Sequence, residues 1–141
     1  MSDMVMFPLK GAGGTANAPT NIGSAPYTNF AANSTYDLIV VGALHREARE
    51  RSFVITNTLN EAITSVTFWL FDSTLDTYSN TAGGMNYVDS GGIASNGYGQ
   101  YTSEQAGILA AHFDSVIVTL GMGSTAPTSG EVVVSVVEYF D

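Results

Sequence analysis

The chain has 141 residues, enough for one domain, and its lack of cysteine excludes disulfides and thiolate metal sites. A formal net charge of -9, with only 4 Lys and Arg, argues against direct binding of nucleic acid, which needs clustered positive charge. Only 12% of the residues are charged, so a surface of this composition is polar but largely uncharged.

The N-terminal quarter of the chain is poor in apolar residues. It consists mainly of Gly, Ala, Asn, Thr and Ser, with three of the 4 prolines, and cannot bury enough apolar surface to offset the entropy of ordering it alone. We therefore predict an extended arm over residues 1–35 that lies on a neighbouring molecule, and a compact body over residues 36–141. The arm's apolar anchor, suited to adding a strand to a sheet edge, is Met4, Val5, Met6 and Phe7.

Beyond the arm, β-branched and aromatic runs alternate with turn residues, the pattern of short strands. The clear strands are Tyr36–Leu44, Arg51–Thr58, Ile63–Ser73, Phe113–Met122 and Glu131–Phe140, and the weaker ones are Thr77–Ser79, Met85–Val88, Tyr98–Thr102 and Ile108–Ala111. No long helix separates them, which excludes a parallel α/β plan. The pattern predicts an all-β, antiparallel β-sandwich of about eight strands, jelly-roll or immunoglobulin-like.

The strand over residues 63–73 is apolar on both faces. Its second face ends in Trp69 and Phe71, where a solvent-facing side would carry polar residues. One interpretation is that a long loop of the same chain, such as residues 78–99, covers these rings. The other is that a neighbouring subunit or its arm covers them, because large exposed apolar patches are uncommon on monomers. We include both rings among the predicted interface residues.

All three arginines lie close together, in the connection before the second clear strand and at the first residue of that strand. Arg46, Arg49 and Arg51 alternate there with glutamates. They form either a solvated loop with weak internal charge pairs or an electrostatic latch onto an acidic patch of a partner.

The sequence shows no recognisable catalytic chemistry. His45 and His112 lack metal-ligand spacing, and Asp72, Asp76 and Asp89 do not match a calcium loop. We predict a non-enzymatic protein with no metal and no cofactor. The N-terminal residues do not resemble a signal peptide, and no run of 18 apolar residues occurs, so we expect neither ordinary export nor a membrane span.

Four tyrosines in the Gly-, Ser- and Asn-rich middle region offer a further possibility. They are Tyr78, Tyr87, Tyr98 and Tyr101. Grouped on one surface, they would suit a carbohydrate-binding module, although tyrosine is equally common at protein interfaces.

The layout resembles virion structural proteins of tailed phages, in particular head decoration (cement) proteins. The resemblance lies in the arm and in the segments RSFVITNTLNEAITSVTFWLFDS and FDSVIVTLGM…SGEVVVSVVEYF. It implies a homo-oligomer in the virion that binds a major capsid protein. The layout also resembles the jelly-roll subunits of bacterial spore appendage fibres, which implies an extracellular fibre with neighbouring fibre subunits as partners, although those fibres use connector cysteines. Neither resemblance includes a family-specific motif.

Overall fold

The computed structural model describes residues 19–74, 85–103, 105 and 113–140, and within them the fold is all-β and antiparallel, as predicted. The strands are β1 (Thr20–Pro26), β2 (Thr35–Val40), β3 (Glu50–Asn57), β4 (Ile63–Phe71), β5 (Met85–Asp89), β6 (Gly97–Thr102), β7 (Ser115–Met122) and β8 (Glu131–Tyr139). The weak strands predicted at residues 77–79 and 108–111 lie outside the described residues.

Two four-stranded sheets make up the sandwich. The first, sheet A, has the order β1-β8-β3-β6, and the second, sheet B, has the order β2-β7-β4-β5. The hydrogen-bonded pairs β1–β8, β2–β7, β3–β6 and β4–β5 correspond to one long hairpin rolled up on itself. Of the two predicted topologies, the fold is therefore the jelly roll.

The core lies between the sheets and follows the period-2 alternation of their strands. Phe68 is central, because its ring packs against Phe53 at 5.1 Å and against Tyr101 at 5.0 Å between centroids. Valines 132, 134 and 136 of β8 face the same core. These three valines alternate with less buried residues along β8, as expected for a strand with one face on the core.

The predicted boundary between arm and body at residue 35 is wrong. Residues 20–26 form β1, which pairs with β8 along its length, and Ala25 and Phe30 belong to the core. The signal was weak because β1 is built from small residues. A Cβ on Gly23 would lie 3.3 Å from Leu38, so this strand sits close to the opposite sheet and buries backbone rather than large side chains.

Within the part of the chain that the structure describes, no helix is long and apolar enough to cross a membrane.

Candidate interaction surfaces

The outer face of sheet B carries a row of apolar residues that crosses three strands. Ile39 on β2 pairs with Ile117 on β7, and Ile117 pairs with Trp69 on β4, so their side chains lie side by side on the surface away from the core. We call these three residues the apolar row. Val41 follows Ile39 along the chain, and Phe71 lies beyond Trp69 on the same face of β4.

Exposure changes along this surface. Ile117 and Phe71 are each 2% exposed, whereas Ile39 is 46% and Val41 45% exposed. The open part of the surface therefore lies at the β2 edge. Phe71 is already covered within one chain, so the interpretation that a neighbour must cover it is wrong.

Trp69 is half-buried. Its indole Nε1 is buried and has no hydrogen-bond partner among the described residues. Leaving a buried donor unpaired costs about 1–3 kcal/mol. Trp69 is the one predicted interface residue of β4 that combines partial exposure with an unmet hydrogen-bonding group.

Arg51 does not lie on the surface. Its side chain is 0% exposed, and its Nε donates to Glu138 Oε2 at 3.0 Å. Its Nη2 donates to the backbone oxygens of His45 at 2.6 Å and Phe113 at 2.9 Å. The predicted external latch is therefore wrong for Arg51, which instead ties together three segments at one end of the sandwich.

Arg46 is partly exposed and pairs with two carboxylates of its own chain. Its Nη2 donates to Asp72 at 2.7 Å and to Asp114 at 3.1 Å. The hydrogen bond from Arg46 holds the pKa of Asp72 far below its usual range. Burial alone would raise the pKa of Asp114, but hydrogen bonds from the Ser73 hydroxyl and N–H, from Ser115 and the charge of Arg46 together lower it.

The other predicted interface residues divide between two regions. Arg49 is exposed just before β3, and its backbone N–H donates to the Tyr139 oxygen at 2.8 Å. Met4, Val5, Met6 and Phe7 lie outside the described residues. The structure thus places Arg46 beside the end of β4 that carries Trp69 and Phe71. Arg51 is buried and offers no exposed cation to a partner.

The predicted tyrosine platform is not formed. Tyr98 is 71% exposed on the outer face of β6, whereas Tyr101 faces the core and donates its hydroxyl proton to Asp89 Oδ2 at 2.7 Å. Burial, helped by Asp89, raises the pKa of Tyr101. Tyr87 also packs against the core, and Tyr78 lies outside the described residues.

Metal ligands do not converge in the part of the chain that is described. No group of three or more His, Asp or Glu side chains there could hold an ion. Of the three acids considered for calcium, Asp76 lies outside the described residues. Asp89 pairs with Val66, near the start of β4, whereas Asp72 follows the end of that strand, so these two lie at opposite ends of the sheet.

Three residues of the apolar surface were not predicted from the sequence: Ile39, Val41 and Ile117. The signal was available for Ile39, because the alternation Leu38–Ile39–Val40 must place one of these residues outside if its neighbours face the core. For Ile117, the residues of β7 form a continuous apolar run, so the sequence pattern does not indicate which of its two faces meets the core.

The fold and these surfaces together define a small jelly-roll domain with an apolar outer face. No family model matches the sequence, and no curated protein matches it. Among solved structures, the chain is similar to a protein from a study entitled "Bacillus endospore appendages form a novel family of disulfide-linked pili". The sequences are 12% identical, the match covers 92% of this chain and 97% of the other, and the TM-score is 0.36.

Proposed function

We propose that the protein is a non-enzymatic structural subunit that assembles by binding neighbouring copies of itself, through its N-terminal segment and the outer face of sheet B. The observation that carries this proposal is the apolar row together with Val41. Ile117 at the centre of the row is buried, whereas Ile39 and Val41 at the β2 edge are nearly half-exposed. Burying such side chains contributes about 25 cal/mol per Å² of apolar surface removed from water.

Charge determines which forces could hold copies of the chain together. Arg46 is held by two acids of its own chain, and the formal net charge is -9. Two copies would repel at long range, so contact between them depends on apolar burial rather than on ion pairs.

The setting that we place first is decoration of a phage capsid, where closed oligomers of the protein bind a major capsid protein. The alternative is a fibre built from copies of this chain alone. The two settings differ in the symmetry of the contact, since a self-complementary or ring-forming interface closes whereas other head-to-tail contacts continue into a filament.

Light scattering of the purified protein tests the proposal. We expect the full chain to form an oligomer or polymer, and a variant lacking residues 2–18 to be a monomer with an unchanged circular dichroism spectrum. A small closed oligomer favours decoration, whereas open polymers seen by electron microscopy favour the fibre. A full chain that stays monomeric at all concentrations contradicts the proposal.

A matched pair of substitutions on β2 tests the surface. Ile39→Asp places a charge at the exposed end of the apolar row and is expected to shift the protein toward the monomer. Thr35→Asp places the same charge on the same face of β2, beside the small residue Gly121, and serves as the control. Equal effects of the two variants would contradict the assignment of the apolar row.

A further inference from the structure

Among the described residues, the outer edge of β6 has no strand to pair with. Ser103 N donates to Arg51 O at 3.0 Å, so Arg51 and Ser103 form a hydrogen-bonded pair that continues the β3–β6 ladder. Because hydrogen-bonded and non-hydrogen-bonded pairs alternate in antiparallel sheets, the N–H and C=O groups of Tyr98 and Gln100 point away from β3. Among the described residues, β6 is the last strand of sheet A on this side.

One end of this edge is already closed. Gln105 Oε1 accepts from Thr102 N at 3.0 Å, and Gln105 N donates to Thr102 O at 3.0 Å. The open stretch is therefore Gly97–Tyr101, which spans about 16 Å at about 3.3 Å per residue. Tyr98, Gln100, Thr102 and Gln105 line an open groove beside this stretch.

The other edge strands carry features that discourage pairing with another chain. β1 ends in Pro26 and has an irregular register between Asn21 and Gly23. β2 contains Asp37, and β5 ends at Asp89. β6 contains neither proline nor a charged residue. Of the edges that the structure describes, it is the one that lacks the usual protection against strand addition.

We propose that the free edge of β6 is the docking site for residues 4–7 of a second copy, which pair there as an added strand. This inference rests on the proposed function and names the contact through which the N-terminal segment acts. Residues 4–7 are four uncharged, apolar residues, bounded by Asp3 before them and Pro8 after them.

Length and chemistry match the segment to the edge. Pro8 has no N–H and ends a strand, so the segment offers about 13 Å of pairing backbone, which fits the open stretch. Tyr98 and Gln100 together offer two donors and two acceptors on the free side. Main-chain hydrogen bonds of this kind supply affinity in strand addition, and side chains on alternate positions supply specificity.

A labelled peptide of residues 1–12 tests the site by fluorescence anisotropy. The acceptor is the full-length chain carrying Val5→Pro and Met6→Pro. Successive N–H groups of a strand point to opposite sides, so one of the two prolines removes an N–H that would face β6, whichever residue that is. The acceptor's own segment then cannot pair at the site. We expect saturable binding to this acceptor and a loss of about tenfold or more when Gln100→Pro is added, because proline removes the outward N–H and blocks a pairing strand.

Gln100→Ala in the same acceptor is the matched control, because it changes the side chain and keeps the backbone, and it should bind the peptide within about twofold. The peptide carrying both prolines should not bind. Thermal unfolding establishes that each acceptor is folded, and hydrogen exchange of the 97–101 amides in the Gln100→Ala acceptor should slow when the peptide is added.

Peptide binding that is equal in the Gln100→Pro and Gln100→Ala acceptors, or unchanged exchange at residues 97–101, would overturn the β6 site. If the full chain still oligomerises and needs residues 2–18, the site fails but the proposed function stands. A full chain that is monomeric and an acceptor that binds no peptide overturn both.

Discussion

At the end of the sandwich where β3 begins, one buried guanidinium joins three segments of chain. Arg51 bonds to the Glu138 carboxylate and to the backbone oxygens of His45 and Phe113. Replacing Arg51 by Met would remove the guanidinium from a carboxylate that is only 9% exposed and that would keep its hydrogen bonds to His45. We expect a loss of about 3–5 kcal/mol in the free energy of unfolding, measured by urea denaturation.

The control for this prediction is Arg49→Ala, an exposed cation two residues away, for which we expect a change of less than about 1 kcal/mol. The double variant Arg51→Met with Glu138→Leu should be more stable than Arg51→Met alone, because no buried charge is left unpaired. A double variant that is no more stable than the single one would contradict this account of the pair.

Acid is expected to weaken the same end of the molecule through Asp72 and Asp114. Both have a pKa below the ordinary value in the folded chain, so their contribution is fully present above about pH 3.9, the pKa of an unfolded aspartate. It is lost as the pH falls through the folded pKa. We expect the melting temperature to fall steeply below about pH 4.

Asp114→Asn tests the cause of this acid sensitivity. The variant loses acceptor capacity toward Ser73 and Ser115, and is less stable at neutral pH. It has one fewer carboxylate to protonate, so its melting temperature should fall less between pH 4 and pH 2 than that of the original chain. Parallel profiles for the two proteins would show that Asp114 does not contribute.

The connections between the strands contain two glycines with positive φ that differ in their surroundings. Replacing each of them distinguishes the cost of backbone strain from the cost of steric crowding. Gly130 has φ +93°, and a Cβ there would overlap with the backbone oxygen of Thr58. Gly42 has φ +73°, and apart from its chain neighbours no atom lies within 4 Å of such a Cβ. We expect Gly42→Ala to cost about 1–2 kcal/mol from the left-handed backbone alone. Gly130→Ala should cost more, because the turn before β8 must also move.

Chemical denaturation of both variants measures this difference in the free energy of unfolding. The comparison is internally matched, since each variant adds one methyl group at a positive φ. Equal losses in the two variants would contradict the close approach of the turn at Gly130 to Thr58.

Removing N-terminal residues in two steps tests where the folded body begins. Deletion of residues 2–18 leaves every described strand in place and should leave the melting temperature nearly unchanged. Deletion of residues 2–26 also removes β1, uncovers the edge of β8 and takes Ala25 out of the core. We expect that variant to unfold at a much lower temperature or to aggregate. Equal melting temperatures for the two deletion variants would show that β1 does not contribute to the cooperative unfolding of the sandwich.

Much of the strand content could be predicted because strands such as β4 and β8 are long and rich in β-branched residues. β1 could not, since its pairing with β8 is a property of the backbone and its own side chains are small. The burial of Arg51 was equally invisible in the sequence. Its partners Glu138 and Phe113 lie 87 and 62 residues away along the chain, and only the folded topology brings them together.

For the whole molecule, the two proposed contact surfaces lie on different parts of the subunit. The apolar row belongs to the outer face of sheet B, and the free edge of β6 belongs to sheet A. A segment of one copy that docks on a different surface of the next makes a heterologous contact, which forms a ring if the rotation closes and a filament if it does not. Oligomer size therefore tests symmetry as well as function.

The one tryptophan of the chain reports directly on the proposed assembly. Trp69 is half-buried in the single chain and sits at the end of the apolar row. A neighbour that covers this surface would shield the indole from water, so we expect acrylamide quenching of its fluorescence to decrease and its emission to shift to shorter wavelength as the protein concentration rises. The variant lacking residues 2–18 should show neither change. If light scattering records assembly while the quenching of Trp69 stays constant, the contact between copies lies elsewhere than on the outer face of sheet B.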